Sequence, residues 1–142
     1  MIVYHGSDVI VERPDNLHSH EYLDFGAGFY TTTVRSQAER WARRKAALHG
    51  NKVGYVSVYD ATAASGLVIH DFGEDLYSWI DFVCSCRSGA DIYRQYDIIK
   101  GKVANDKVFR VVDMYMRKLI NKELAIKEMK VYEIYDQIAY IT

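Results

Sequence analysis

Residues 24–33 read D-F-G-A-G-F-Y-T-T-T. Two glycines flank an alanine, an aromatic pair follows, and three β-branched hydroxyls come next. A tight backbone turn crossing into a strand has this composition. So does a pocket wall shaped to lie flat against a planar ring. The elements on either side decide which of the two the stretch belongs to.

Upstream, Ile2 to His5 reads as a strand closed by Gly6, and residues 14–24 read as a loop with a turn of helix. Downstream, Phe29 to Thr32 predicts a short strand. Ser36 and Glu39 then have the spacing of a capping box, which predicts a helix to about His49 with Gly50 at the C′ position. Ala38, Trp41, Ala42 and Leu48 fall on or near one face of that helix, with Arg40, Arg43 and Arg44 outside it. Residues 53–59 and 66–70 read as strands. Leu76, Trp79, Ile80 and Val83 mark one face of a second helix, and residues 96–101 form another short strand. Val108, Val111, Val112, Tyr115 and Leu119 keep helical spacing, and Asn121 is the N-cap of a further helix over Lys122–Met129. Residues 130–142 read mostly as a final strand. Strands and helices mix without regular βαβ spacing, so the expected class is α+β.

The chain has 142 residues, 49% of them apolar and 26% charged, which predicts one domain over 1–142 with a full core. Its net charge of −1 points to no polyanion globally, so any nucleic-acid contact has to come from a local patch such as R-W-A-R-R-K at 40–45. Cys84 and Cys86 stand two apart, a poor spacing for a clip on a helix, and read as reduced, partly buried thiols. No apolar run reaches membrane-spanning length and no signal peptide is evident, so a soluble, cytoplasmic chain is expected. His18 and His20 stand close together without the cysteine spacing of a closed zinc site, and no metal is expected.

Four places carry chemistry. His5-Gly6-Ser7 puts a histidine at a strand end beside a glycine that a ligand can approach closely. Gly26 and Gly28 precede Phe29-Tyr30, a flat wall. Trp41 lies eleven residues beyond Tyr30, on the helix, and Asp136-Gln137 is a polar pair in the last strand. Singly, each has an ordinary structural account: a strand-end histidine, a packed glycine turn, a core indole, half-exposed strand polarity.

In this order they resemble the ADP-ribosyltransferases of the diphtheria-toxin and poly(ADP-ribose) polymerase type. That pattern runs through His5-Gly6-Ser7, Phe25 to Tyr30, Ser36 to Trp41, and Gln137 in the late strand. The chain is similar also, through Y-D-I-I-K-G-K-V-A-N-D at 96–106, to an uncharacterised bacterial family of this fold with toxin–antitoxin-like context.

The resemblance implies a split mixed β-sheet core with flanking helices, and a mono-ADP-ribosyltransferase that uses NAD as substrate. It implies a His5-Tyr30-Gln137 triad. His5 holds the adenosine-side ribose, the Gly6 backbone binds the nicotinamide amide, and Tyr30 stacks on the ring with Trp41 as second wall. Gly28 allows the close turn, and Ser7 and Thr31 to Thr33 supply secondary polar contacts. The partners implied are NAD, a protein or nucleic-acid acceptor, and an antitoxin protein.

Gln137 departs from the pattern, which has glutamate there. An amide hydrogen-bonds but neither acts as a carboxylate base nor offsets cationic charge. Polymer elongation is not expected. The rival reading is an NAD-binding pseudoenzyme acting through protein contacts.

Overall fold

In the computed structural model, residues 1–12, 14, 23–61, 65–132 and 135–141 are described. Ten elements follow the chain: β1 (Ile2–Ser7), β2 (Phe29–Thr31), α1 (Arg35–Leu48), β3 (Tyr55–Asp60), β4 (Ile69–Asp71), α2 (Leu76–Arg87), β5 (Ile98–Lys102), α3 (Asp106–Met116), α4 (Lys122–Met129) and β6 (Asp136–Tyr140), with a 3₁₀ turn at Ile92–Gln95. The mixture of helices and largely antiparallel strands is the α+β class expected. β1 and β3 pair antiparallel as one sheet, and β2-β6-β5-β4 form a second in which only β4 and β5 run parallel.

The main core lies where α2, α3 and α4 cover one face of the larger sheet. Phe25, Trp79, Ile80, Val83, Ile99, Val108, Val112 and Met129 are fully buried there. The period predicted for α2 holds on all four positions, and Cys86 extends it. Asp75 caps α2 by accepting from the Ser78 amide at 3.1 Å. Asn105 and Asn121 cap α3 and α4 in the same way, accepting from Val108 and Leu124 at 3.0 and 2.8 Å. Both thiols are free, and burial pushes Cys84 up to about 11 and Cys86 up to about 12. At neutral pH both are protonated.

Four local expectations change, the first being the final strand read over 130–142: β6 covers Asp136–Tyr140, and residues 130–132 close α4 as a turn. The capping box at Ser36 is absent: α1 begins at Arg35 behind Val34, which makes no side-chain cap, and Glu39 instead meets Arg35 at 3.3 Å. Leu48 is 75% exposed, and Gln37 and Ala46 complete the buried face with Ala38 and Ala42. Leu119 lies past the end of α3 and is 69% exposed. The loop expected at 14–24 falls largely outside the described residues.

α1 packs on the smaller sheet through a backbone contact. A Cβ at Gly6 would stand 1.9 Å from the Ala38 carbonyl oxygen and 2.8 Å from the Ala42 nitrogen. Only glycine permits this approach. Gly6→Ala is therefore expected to destabilise the fold by about 3 kcal/mol, read as a lowered urea midpoint with unchanged slope. An unchanged midpoint would mean that α1 sits further from β1.

Candidate functional site

The quoted stretch resolves into a turn lashed to a strand. Gly26 has φ +79°, and a Cβ there would enter the Tyr93 ring at 2.1 Å. The Tyr30 hydroxyl donates to the Gly26 carbonyl at 2.6 Å and accepts from the Phe25 amide at 2.9 Å. Burial, with the nearby Asp24 carboxylate second, holds the phenol well above its ordinary pKa. The half-buried Tyr30 ring is thereby fixed in plane. Gly28 is buried against Tyr140, and Phe29 stacks on His5 with centroids 4.2 Å apart.

The three threonines serve the fold. Thr31 donates to the Ile138 carbonyl at 3.1 Å, and Thr32 and Thr33 donate to the Asp136 carboxylate at 3.2 and 2.8 Å. Their hydroxyls clamp β2 to β6. Ser7 is likewise buried, its Oγ turned to Asp8 and the Val9 amide.

The two sheets meet at a single bridge among the described residues. Tyr4 and Thr32 exchange backbone bonds of 2.8 and 2.9 Å. The next pair in that ladder would be Gly6 with Tyr30, and it does not form. Instead His5 Nδ1 donates to the Tyr30 carbonyl at 2.6 Å. Strand backbone groups alternate between edges, so the Gly6 amide and carbonyl face the same edge as those of Tyr4. Among the described residues no strand pairs with them there. The β1–β2 ladder is therefore interrupted beyond the bridge, a gap in its pairing bordered by Gly6, His5 and the Tyr30 backbone.

Burial lowers the His5 pKa. The Tyr30 carbonyl opposes the shift and Lys45 adds to it. The ring is neutral at pH 7, and with Nδ1 donating, Nε2 carries the lone pair.

Gln137 is 3% exposed and lies on the opposite side of β6 from Asp136. Its Nε2 donates to Asp24 Oδ2 at 3.0 Å and to the Lys102 carbonyl at 3.1 Å, so both amide hydrogens are committed. The same Asp24 carboxylate takes Arg87 Nε at 2.6 Å, Arg87 Nη2 at 2.5 Å and the Ala104 amide at 3.1 Å. Asp24 and Arg87 are the residues that sequence reasoning missed. Asp24 stood in the quoted stretch, yet nothing in the sequence tied it to an arginine 63 positions away.

The structure thus brings the His5 ring against the Tyr30 backbone beside Gly6, while the Tyr30 ring packs on the helix-covered face of the larger sheet, the face that also carries Gln137. Gln137 joins Asp24 beneath the fold's main core. Trp41 lies half-buried on the flank of α1, outside both core clusters. Asp106 opens α3 and pairs with Arg44 at 2.8 Å. His18 and His20 lie outside the described residues. No helix among the described residues is long and apolar enough to cross a membrane.

A family described as "protein of unknown function (DUF3990)" matches residues 1–142. The chain belongs to that family. No curated protein and no solved structure matches it.

Two outcomes follow from this geometry. Gln137→Glu removes two donated hydrogens and sets a second carboxylate against Asp24, and is expected to cost about 2 kcal/mol or more in urea denaturation. Adding Asp24→Asn should recover part of the loss, because an amide then faces the new carboxylate. Equal stability of Gln137→Glu and the native chain would dissolve the buried network. For His5, the unfolded chain binds a proton more readily than the folded one. Its contribution to stability is therefore full above the ordinary value of 6.5 and declines as pH falls through it. The stability difference between the native chain and His5→Gln should narrow on acidification and stay flat at alkaline pH.

Proposed function

We propose that the chain is an NAD-dependent mono-ADP-ribosyltransferase. The observation that carries the reading is the interrupted β1–β2 ladder, where among the described residues no strand pairs with the Gly6 amide and carbonyl at their edge and the His5 ring meets the Tyr30 backbone. A primary amide such as nicotinamide's has one donor and one acceptor on adjacent atoms, matching the amide and carbonyl that Gly6 turns to that edge. Tyr30, with its hydroxyl tied to Phe25 and Gly26, offers a fixed flat surface for the pyridinium ring. His5 keeps an acceptor nitrogen for a ribose hydroxyl. Two sheets joined, among the described residues, by one backbone bridge also suit the split core that the sequence resemblance implies.

In this reading the bond from ribose C1 to nicotinamide breaks through an oxocarbenium-like transition state, as in glycoside hydrolysis. The site supplies position: it holds the leaving group, limits water and orients an acceptor. The role of a toxin held by a partner protein depends on this activity. Gln137 favours a second reading, the NAD-binding pseudoenzyme, because its amide hydrogens are already committed within the fold and no carboxylate replaces it at the strand.

The test is incubation with adenylate-labelled NAD and a cell extract, following nicotinamide release and labelled macromolecules. The native chain is expected to yield both. Tyr30→Leu, which keeps apolar bulk but loses the plane, should reduce both at least tenfold while remaining folded by circular dichroism. Release without label would indicate a glycohydrolase. NAD binding without either signal would replace the transferase with the pseudoenzyme.

A further inference from the structure

Helix α1 carries Arg35, Arg40, Arg43, Arg44 and Lys45 against one acid, Glu39, a net of +4 in a chain whose net charge is −1. All five cations are exposed. Arg40, Arg43 and Arg44 stand at i, i+3 and i+4, so three like charges share one face of the helix, opposite the buried Ala38, Ala42 and Ala46.

Their local partners neutralise little. Arg35 and Arg43 share Glu39 at 3.3 and 3.7 Å, and Arg44 meets Asp106 at 2.8 Å with both side chains more than 60% exposed. Such surface pairs are weak and readily exchanged. Arg40 lies over the Tyr135 ring at 4.9 Å and donates to its hydroxyl at 3.2 Å. Tyr135 immediately precedes β6, the strand of Gln137. Trp41, half-buried, stands between the arginines in sequence and on the flank of the same helix. The cationic face therefore runs from α1 to the start of the late strand, with an aromatic ring at each side.

We infer that this face is a docking surface for single-stranded nucleic acid, and that the strand it holds is the acceptor. The acceptor half of this inference rests on the transferase reading above. Planar guanidinium groups meet phosphate oxygens bidentately. Trp41 and Tyr135 offer π-faces for unpaired bases, the combination by which single strands are held without sequence preference. The net negative charge of the rest of the chain confines a polyanion to α1. In the transfer, a base nitrogen or terminal phosphate oxygen of the strand bonds to ribose C1. The C1–nicotinamide bond breaks, nicotinamide leaves with the electron pair as the neutral amide, and any proton on the nucleophile passes to water.

The test compares the native chain with Arg40→Gln/Arg43→Gln/Arg44→Gln by fluorescence anisotropy on single-stranded RNA, single-stranded DNA and duplex DNA of about 20 nucleotides or pairs, without NAD, between about 50 and 200 mM salt. The native chain should prefer the single strands, and its affinity should fall with salt. The triple variant should bind at least tenfold more weakly and lose about 2 from the slope of log affinity on log salt, at about 0.7 per phosphate contact. Its NAD affinity by calorimetry should be unchanged. Equal strand binding by both proteins, no strand binding by the native chain, or tighter binding of duplex would overturn the docking surface. So would a parallel loss of NAD affinity, which would assign the arginines to the dinucleotide's own diphosphate. Label from NAD that resists nucleases and yields to protease would overturn the acceptor assignment. Absence of NAD turnover would overturn the transferase and its acceptor together, while strand binding without NAD still decides the surface.

Discussion

A carboxylate removed from water must find compensating donors, and Asp24 finds four. Arg87 supplies two from the last turn of α2, the Ala104 amide a third from the segment before α3, and Gln137 the fourth from β6. One buried anion thus ties the glycine turn to a helix, a connecting segment and a strand distant in sequence. The turn in its own right is anchored to β2 through the Tyr30 hydroxyl. Removing one partner of such a group leaves an unmatched charge, which is why buried ion pairs are costly to break even where they add little net stability. The same network explains the amide at position 137. A donor is required there, and a glutamate in the same place would face Asp24 and a carbonyl oxygen.

Gly6 lies under two constraints at once. Its missing side chain admits the backbone of α1, and its polar groups face the edge where β1 leaves β2. The first is a packing demand and the second leaves two polar groups without a strand partner among the described residues, so substitution there reports first on folding. Tyr30 serves the turn with both its parts, the hydroxyl tied to Phe25 and Gly26 and the ring stacked with Phe25 at the edge of the main core. His5 fills the rung that the strands leave open, and its Phe29 stack holds the imidazole against β2.

Local signals in the sequence translated well where the interaction itself is local. Asn105 and Asn121 cap the helices they precede, and the apolar period of α2 is its buried face. Ser36 and Glu39 failed because α1 begins at Arg35, which puts Ser36 inside the first turn and not at the N-cap. Thr32 accepts from the Val34 amide at 3.1 Å and lets α1 start earlier. The threonine run read as polar contacts for a ligand, but tertiary pairing with Asp136 claims Thr32 and Thr33. Of the candidate site, His5, Gly6 and Tyr30 were legible from their order. The Asp24–Arg87 pair was not, since neither residue has a sequence neighbour that betrays the other.

Among the described residues the Tyr4–Thr32 bridge is the one backbone rung between the β1–β3 sheet with α1 and the larger sheet with its three helices. A ladder of several rungs resists shear because its bonds break together, so the link here rests on the bridge, the His5–Tyr30 bond and apolar packing in combination. Val3 and Tyr59 also pack against Ile98, Ile138 and Tyr140, so any change of width at the β1–β2 edge has to disturb this smaller cluster, while the main core under the helices lies on the other face of the larger sheet.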